Sequence, residues 1–147
     1  MKAYTLIELL IVIGVLAILT GMASLSMVSF SQGSDIETTT TIVAGALKEA
    51  RANSMADIDD KTWGLFLENN RVIVFADDGG GFVPGDASNS YRILANHTGL
   101  SWNLAGGGQA VEFIKRTGET TNDGEVTITG QAVAPKVISI NGQGMIE

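Results

Sequence analysis

The chain begins with a long apolar run. From Leu6 to Val28 the residues are almost all apolar, and at about 1.5 Å per residue a helix of this length spans the roughly 30 Å hydrocarbon core of a bilayer. Glu8 interrupts the run near its beginning. An ionised side chain in hydrocarbon costs at least ~2.5 kcal/mol, so such residues usually have a partner and a task. The run therefore predicts a transmembrane helix with one acid whose partner lies outside the segment.

A second, amphipathic segment follows a Ser-rich stretch at residues 29–35. Apolar and small residues recur on one helical face, at Ile36, Val43, Leu47, Ala50, Ser54 and Ile58. The opposite face carries Lys48, Glu49, Arg51 and Asn53. Gly33 either loosens the helix, with a new helix capped just after it, or lies within one nearly continuous helix. In the second case the helix from Thr5 to about Ala56 is roughly 75–80 Å long. The Thr-rich run at 38–41 is a poor helix former and is interpreted as flexible.

The rest of the chain alternates short apolar runs with turn residues, which predicts strands. Strands are expected at 62–68, 71–76, 91–94, 110–115, 125–129 and 136–140, and residues 97–108 are expected to be irregular, with a short strand around Leu100, Trp102 and Leu104. Asn69-Asn70 is expected to join the first two strands in a tight hairpin. The stretch 77–89 is a Gly-rich loop, and 122–124 and 141–142 are turn motifs. The clearest sheet is expected in the last third of the chain.

These elements predict an α+β fold. A long N-terminal helix, with a transmembrane half and an amphipathic half, is expected to pack against a C-terminal antiparallel β-sheet domain. The predicted divisions are a leader at 1–3, a transmembrane and assembly helix at 4–28, an amphipathic continuation at 29–60 and a β-rich domain at 61–147. Roughly 115 residues remain after the apolar start, which is enough for one modest core.

The overall charge restricts the classes of partner. The chain carries 16 acidic and 9 basic residues, for a net charge of −7. Nucleic acid is therefore not expected as a main partner, because phosphate neutralisation requires clustered Lys and Arg. There are no cysteines, which excludes disulfides and cysteine metal sites. Lys2 precedes the apolar run and acidic residues follow it, so the positive-inside rule places the N-terminus in the cytoplasm.

The first eight residues resemble the start of type IV pilins and of the pseudopilins of type II secretion systems. The match consists of Lys2, Ala3 and the run Tyr4-Thr5-Leu6-Ile7-Glu8, with Ala3 where the family usually has Gly and Tyr4 where it usually has Phe. By resemblance, a prepilin peptidase cleaves between Ala3 and Tyr4 and methylates the new amine of Tyr4. Glu8 then becomes the fifth mature residue. The resemblance assigns filament assembly to Thr5, Leu6, Ile7 and Glu8.

The remainder resembles the H-type minor pseudopilins and their pilus relatives, the GspH/FimT-like group. The resemblance rests on the helix 44–54 with the Trp63-Gly64-Leu65 strand after it, and on the strands 125–129 and 136–140 followed by Gly142-Gln-Gly-Met-Ile. It implies a minor subunit that assembles into, initiates or caps a type II secretion pseudopilus or a type IV pilus. Such a subunit is not an enzyme and has no cofactor. The sequence leaves open which of the two machines it serves.

The resemblance also implies partners and a location. The partners are other pilin or pseudopilin subunits, an inner-membrane assembly platform, prepilin peptidase and membrane lipid. The precursor is expected to cross the bacterial inner membrane once, with a cytoplasmic N-terminus and a periplasmic domain, before it enters a filament. A Tyr4 amine and the Glu8 carboxylate are each costly in lipid. Contact between Glu8 of one subunit and the Tyr4 amine of a neighbour would neutralise both and set the axial register of stacked helices.

Other interpretations remain for the N-terminus and for the function. The segment could be a plain signal anchor with Glu8 near the interface, or a cleaved secretory signal peptide with its processing site in residues 23–26. A filament-tip receptor for DNA or a secreted substrate would require Arg92, Lys115 and Arg116 to cluster on one surface. A membrane-anchored extracytoplasmic enzyme would require a pocket that holds His97 together with two acids, and no catalytic residue is predicted.

Two acidic groups are candidates for Ca²⁺ binding through oxygen ligands. They are Asp57, Asp59 and Asp60, and Asp77 and Asp78 with Asp86. Neither group has the spacing of an EF-hand loop, and solvated loop acids are the simpler interpretation, so no metal site is predicted. His97 is the single histidine and cannot form a zinc cluster by itself. The glycine triplets at 79–81 and 106–108 lack a P-loop lysine and are interpreted as surface loops.

Overall fold

The computed structural model describes residues 5–131 and 133–147, apart from the side chains of residues 22–32. The elements, in chain order, are an α-helix α1 (Leu6–Met55), a 3-10 turn (Ile58–Asp60) and the strands β1 (Thr62–Glu68), β2 (Arg71–Asp77), β3 (Ser90–Ile93), β4 (Thr98–Leu104), β5 (Ala110–Phe113), β6 (Gly124–Gly130) and β7 (Lys136–Ile140). One long N-terminal helix followed by antiparallel strands agrees with the predicted α+β class.

The helix α1 is continuous over 50 residues, so no break occurs at Gly33. At about 1.5 Å per residue it is about 75 Å long. The Thr-rich run at 38–41 is also helical, and the prediction of a flexible segment there is wrong. The hydroxyls of Thr40 and Thr41 donate to carbonyls four residues earlier, at 2.7 and 2.9 Å. These side chains are therefore satisfied within the helix instead of competing with it.

The helix ends at Met55, close to the predicted end at about Ala56, and Ile58–Asp60 form a 3-10 turn. The N–H of Ala56 donates to the carbonyl of Ala52 at 2.9 Å, and Asp57 then adopts the left-handed conformation with a φ of 54°. Because this conformation turns the chain away from the helix axis, Ile58 leaves the buried face and is 40 % exposed. The predicted position of Ile58 on that face is therefore wrong.

The seven strands form two antiparallel sheets. The first has the order β3-β2-β1-β5 and the second the order β4-β6-β7. The strands β1 and β2 form the predicted hairpin, with Glu68 opposite Arg71. The strand β5 pairs with β1 and not with β6, so the last third of the chain contributes to both sheets. Residues 98–104, expected to be largely irregular, form a seven-residue strand along β6.

The second half of α1 packs against both sheets. Its residues Val43, Leu47 and Ala50 are completely buried, as the periodicity predicted. The core that they join includes Leu65, Leu67, Val72, Val74, Val111 and Phe113 of the first sheet and Leu100, Leu104, Val126, Ile128, Ile138 and Ile140 of the second. Burial of each such aliphatic side chain stabilises the folded domain by about 1.5–3 kcal/mol relative to leaving it in water. This half of the helix is thus part of the folded domain.

A loop covers the outer face of the first sheet. Residues 78–89 place Phe82 on Phe66, with ring centroids 4.1 Å apart, and against the edge of Phe75 at 5.4 Å. Gly64 lies beside the Phe75 ring, and a Cβ at this position would come within 2.8 Å of it. A glycine is therefore required in β1 for the ring to lie close to the strand. The central strands of this sheet are covered on both faces.

Candidate functional site

The first half of α1 carries exposed apolar side chains on all sides. We call residues 6–21 the apolar arm, and every residue in it is exposed. Its large apolar side chains range from 51 % exposed at Val15 to 82 % at Leu6. A helix that is apolar all round is normally buried in a protein core or in a membrane. The folded domain covers none of the apolar arm. The arm must therefore be covered by molecules outside this chain.

The apolar arm begins at a hydrogen-bonded cap. Thr5 has extended backbone angles, and its hydroxyl accepts the N–H of Glu8 at 3.3 Å. The spacing from Thr5 to Glu8 is that of a capping box, and an acid in the first turn is favoured by the helix dipole. Glu8 is exposed and belongs to none of the ion pairs formed by the described residues. Its carboxylate is therefore available to a group on another molecule.

Several predicted features lie outside the described residues. They are the leader at 1–3, the cleavage bond between Ala3 and Tyr4, the methylation site at Tyr4 and the side chains of residues 22–28 in the predicted membrane segment. Of the predicted assembly residues, Leu6 and Ile7 immediately precede Glu8 and their side chains are exposed. Within the part of the chain that the structure describes, we find no helix with both the length and the apolar content needed to cross a membrane.

A buried serine anchors the other end of α1. Ser54 is completely buried, and its hydroxyl accepts the N–H of Trp63 at 2.8 Å and donates to the carbonyl of Phe113 at 2.8 Å. This one side chain therefore connects the helix to both β1 and β5. The Ser54 carbonyl accepts the N–H of Arg116 at 2.9 Å. The last turn of the helix is thus fixed to the sheet by hydrogen bonds as well as by packing.

Two further polar side chains of α1 make contacts distant in sequence. Thr39 is completely buried and accepts the N–H of Ala95 at 3.2 Å, just before β4. Arg51 donates from Nε to the carbonyl of Gly118 at 3.2 Å and from Nη2 to the carbonyl of Gln143 at 3.3 Å. These contacts hold the loop after β5 and the segment after β7 against the helix.

The first acidic group is engaged in ion pairs. Asp57 pairs with Arg116 and Asp60 with Lys115, each at 2.7 Å. The hydrogen bond from Lys115 lowers the pKa of Asp60, and the hydrogen bond to Asp57 raises the pKa of Arg116. Asp59 has a left-handed φ of 56° in the 3-10 turn and is exposed. Asp57 and Asp60 therefore attach the residues after β5 to the end of the helix.

The second acidic group organises its own loop. Asp77 Oδ1 accepts the backbone N–H groups of the glycine triplet 79–81, at 2.9, 2.8 and 2.7 Å. Asp78 pairs with Lys61 at 3.2 Å. Asp86 accepts the N–H and the hydroxyl of Ser88, and these hydrogen bonds lower its pKa. Across the described ranges, no group of three or more potential ligands is placed to hold a metal ion.

The cations that would indicate nucleic-acid binding lie apart. Arg92 is on β3 and pairs with Glu49 of α1 at 3.3 Å. Lys115 and Arg116 follow β5, which forms the opposite edge of the same sheet. Each of the three has an acidic partner, so they do not form one basic surface. His97 is exposed in the turn before β4, with a φ of 63°, as expected for a loop residue.

Sequence reasoning missed the polar residues that attach the helix to the domain. Ser54 was assigned to the buried face only because it is small, and Thr39 and Arg51 were given no contacts with the sheets. Their hydrogen-bond partners are 9 to 92 residues away along the chain. The periodicity of a single helix gives no information about such contacts. The Thr5–Glu8 capping box was also missed, although its Thr-x-x-Glu spacing before an apolar run is a local signal that could have revealed it.

Comparison with known proteins bears on both halves of the chain. Residues 1–24 match the prokaryotic N-terminal methylation motif. The fold is similar to that of the type IV minor pilin FimU of Pseudomonas aeruginosa strain PAO1, with a TM-score of 0.61 over 80 % of this chain and 90 % of FimU. The two sequences are 12 % identical. A search of curated protein sequences gives no significant match.

These comparisons confirm the predicted fold class and the resemblance of the N-terminus. The chain has a pilin-like α+β fold, and its apolar start matches the prokaryotic N-terminal methylation motif. At 12 % identity the likeness to FimU concerns the fold alone. It is consistent with the predicted GspH/FimT-like group.

Proposed function

We propose that this protein is a minor pilin or pseudopilin, a structural subunit that assembles into, initiates or caps a type IV pilus or a type II secretion pseudopilus. The observation that carries the proposal is the apolar arm, which the domain leaves uncovered and which lies within the methylation motif. A folded domain attached to an uncovered apolar helix requires lipid before assembly and other helices after it. The role is structural and not catalytic.

Processing and insertion follow from this proposal. Prepilin peptidase removes residues 1–3 and methylates the amine of Tyr4. Residues 4–28 cross the inner membrane once, with the N-terminus in the cytoplasm, and residues 61–147 form the periplasmic domain. The amphipathic part of the helix carries that domain. Assembly then moves the subunit from lipid into a bundle of similar helices, with the help of an inner-membrane platform.

The proposed role of Glu8 is to pair with the Tyr4 amine of a neighbouring subunit. Support comes from the exposure of Glu8 and from its position beside Leu6 and Ile7, where an apolar partner helix would exclude water. In such surroundings, removal of one member of an ion pair leaves the other uncompensated, at a cost of about 3–5 kcal/mol. A wrong axial register has the same cost, so the pair also selects the register.

The runner-up function, a filament-tip receptor for DNA, has less support. Arg92 lies at one edge of the first sheet, and Lys115 and Arg116 lie beyond the other. All three are paired with acids, and the chain has a net charge of −7. Binding of a phosphate backbone at these residues would require those ion pairs to break.

The experiment that tests the proposal replaces Glu8 in the full chain, expressed with its partner subunits. Glu8→Ala and Glu8→Gln should insert into the membrane normally, whereas incorporation into filaments should fall by at least about tenfold, because each leaves a buried amine unpaired. Incorporation is measured by immunoblotting of sheared filaments against the membrane fraction. The matched control is Glu37→Ala, in the half of α1 that packs on the sheets (residues 36–55, the docked half). Glu37 is exposed and pairs with Lys136 of the same chain, so this variant should incorporate normally.

Glu8→Gln separates the two roles that Glu8 can have. Gln keeps the capping-box geometry but lacks the charge. If Glu8→Gln incorporates as well as the wild type while Glu8→Ala does not, Glu8 acts through the helix cap and the pairing role is wrong. If both variants incorporate normally, the proposed assembly function of this residue fails.

A further inference from the structure

A groove runs along the exposed side of the docked half of α1, and we call it the α1 groove. Its volume is about 420 Å³. One wall is a stripe of the helix and consists of Lys48, Arg51, Ala52 and Met55. These positions have the i, i+3, i+4, i+7 spacing of a single helical face. The other wall is the segment after β7 and consists of Met145, Ile146 and Glu147.

Hydrogen bonds and close packing fix both walls of the groove. The Arg51 guanidinium donates to the carbonyls of Gly118 and Gln143, which holds it in one orientation. Gly144 has a φ of 71°, and a Cβ there would overlap the carbonyl oxygen of Gly118, so only glycine lets the second wall lie this close. Asn141 Oδ1 accepts two N–H groups of this wall, at 3.1 and 3.0 Å. The groove is therefore formed before any ligand binds.

The α1 groove contains the two described cations that have no acidic partner. The chain has nine Lys and Arg residues, and all except Lys2 lie in the described ranges. Six of these eight form ion pairs within the chain. The two that remain are Lys48 and Arg51, one helical turn apart. Their positive charge is therefore available to a carboxylate from outside the chain.

The rest of the lining is mostly apolar. Met55 and Met145 are 46 and 43 % exposed, and Ile146 is partly buried. Glu147 is the acid in the lining, and it is in none of the ion pairs formed by the described residues. Lys48 and Met55 are seven residues apart, which is about 10 Å along the helix. The groove therefore fits a ligand with a carboxylate at one end and an apolar side chain about 10 Å away.

We propose that the α1 groove binds an acidic segment of a neighbouring subunit of a different kind. An Asp or Glu of that segment pairs with Lys48 and Arg51, and an apolar side chain of the same segment covers Met55 and Met145. The proposal rests on the proposed filament function and deepens it, because it names the chemistry of the partner that the folded domain contacts.

The position of the groove along α1 favours a subunit over a lipid as the occupant. Lys48 lies about 30 Å along the helix from Val28, the end of the predicted membrane segment. Membrane lipid does not reach that far, whereas the folded domains of subunits anchored side by side, with parallel helices, lie at the same height. Two copies of this chain, each with a net charge of −7, repel each other, so we assign the segment to a different subunit.

A carbodiimide tests the contact directly, because it joins a lysine amine to a carboxylate only where the two touch. The reagent activates the carboxylate, the amine attacks the activated carbonyl, and an amide forms while a urea leaves. The full-length protein is treated in membranes of cells that express its native partners, and the linked peptides are identified by mass spectrometry. We expect an amide between Lys48 and an Asp or Glu of a different subunit. A link from Lys48 to Glu147 of the same chain, a link to a second copy of the chain, or no link at Lys48 would overturn the proposal.

Substitutions then test whether the charge contributes to binding, with co-purification of the linked subunit as the measurement. Lys48→Gln should reduce co-purification by about two- to fivefold, as expected for a partly exposed ion pair. Lys136→Gln is the matched control, since it removes the same charge from a lysine that pairs with Glu37, and it should have no effect. Glu147→Gln should increase co-purification, because it removes a competing acid from the groove. Equal losses for Lys48→Gln and Lys136→Gln would overturn the proposal, because net charge alone would then explain the binding.

The failure of this proposal is distinguishable from the failure of the filament function. Lys48 variants should be processed at Tyr4 and inserted into the membrane like the wild type, because the groove lies in the folded domain. If the protein is processed and incorporated normally but gives no Lys48 link, the groove proposal alone is wrong. A failure of the filament function appears instead as an unprocessed N-terminus or as normal incorporation of both Glu8 variants. Circular dichroism of each purified variant verifies that it is folded.

Discussion

The two halves of α1 belong to one continuous helix but have opposite surroundings. In the docked half, apolar residues repeat on one face and are buried against two sheets, while polar residues occupy the other face. In the apolar arm, apolar residues occur on every face and all are exposed. The docked half also has buried polar anchors at Thr39 and Ser54. The apolar arm has a single acid, Glu8, among apolar side chains.

This difference shows which partner each half of the helix is made for. A one-sided apolar stripe specifies a single face of contact, which the domain of the same chain supplies. A helix that is apolar all round needs contact on all sides, which one domain does not provide. The arrangement therefore separates folding from assembly along one helix. Substitutions in the docked half should change the stability of the domain, and substitutions in the apolar arm should change its association.

The largest expected effect on stability is that of a core leucine. Leu47 is completely buried between the sheets, and Leu47→Ala should lower the free energy of unfolding by about 2–5 kcal/mol, through lost transfer energy and a residual cavity. Leu10 lies in the apolar arm and is 63 % exposed, so Leu10→Ala should change the free energy of unfolding by less than about 0.5 kcal/mol. Denaturant unfolding of the full chain in detergent measures both, followed by the fluorescence of Trp63 and Trp102. Equal losses of unfolding free energy for Leu47→Ala and Leu10→Ala would mean that both halves of the helix contribute to the stability of the domain.

A smaller loss is expected at the polar anchor of the docked half. Ser54→Ala leaves the N–H of Trp63 and the carbonyl of Phe113 without their buried partner. Each unsatisfied group costs about 1–3 kcal/mol, so we expect a loss of about 2–4 kcal/mol after partial relaxation. Ser34→Ala, on the exposed face of the same helix, is the control and should change stability by less than about 0.5 kcal/mol. A loss at Ser34 as large as that at Ser54 would contradict the anchoring role.

The smallest expected effect concerns a carboxyl group within the domain. Glu112 is half-buried, and burial, together with the nearby Asp77, raises its pKa above the ordinary value of 4.5. The folded state therefore holds this proton more tightly than the unfolded state. Its contribution to stability is fully present below pH 4.5 and is lost as the pH rises through the folded pKa. Glu112→Gln should therefore stabilise the domain at pH 7 relative to the wild type.

The control for this prediction is Glu125→Gln, at an exposed glutamate of β6. As a surface substitution it should change the free energy of unfolding by less than about 0.5 kcal/mol at pH 7. Melting temperatures of the three proteins between pH 4 and pH 8 make the comparison, with differences normalised to the wild type at each pH. A gain for Glu112→Gln at pH 4 that equals its gain at pH 7 would show that titration of Glu112 is not the cause.

The features predicted from the sequence are those that depend on local periodicity. The helical course of the apolar start, the buried stripe at Val43, Leu47 and Ala50 and the hairpin at Asn69-Asn70 were predicted correctly. In each case the information lies within a few residues, because side-chain period and turn chemistry are local. The unbroken course of the helix through Gly33 was left open, since a single glycine weakens a helix by only about 1 kcal/mol.

The features that were missed depend on pairing between distant segments. Alternation in β5 and β6 predicts two strands but does not specify that they belong to different sheets. The same limit applies to the ion pairs of Arg92, Lys115 and Arg116, whose acidic partners lie 43 to 59 residues away. A loop such as 78–89, which places Phe82 on the outer face, has no period at all. The assembly residues proposed at 5–8 are consecutive, so the sequence alone can propose them, and their role stays a prediction.

The mass of the mature N-terminus tests the central claim most directly. The protein is isolated from cells that express it with its native assembly partners, and its N-terminal peptide is measured by mass spectrometry. We predict a chain that begins at Tyr4 with a methylated amine and retains the whole apolar arm. An uncut chain that begins at Met1, or a chain trimmed beyond the apolar arm, would contradict the account, because neither brings a Tyr4 amine into register with Glu8 of a neighbour.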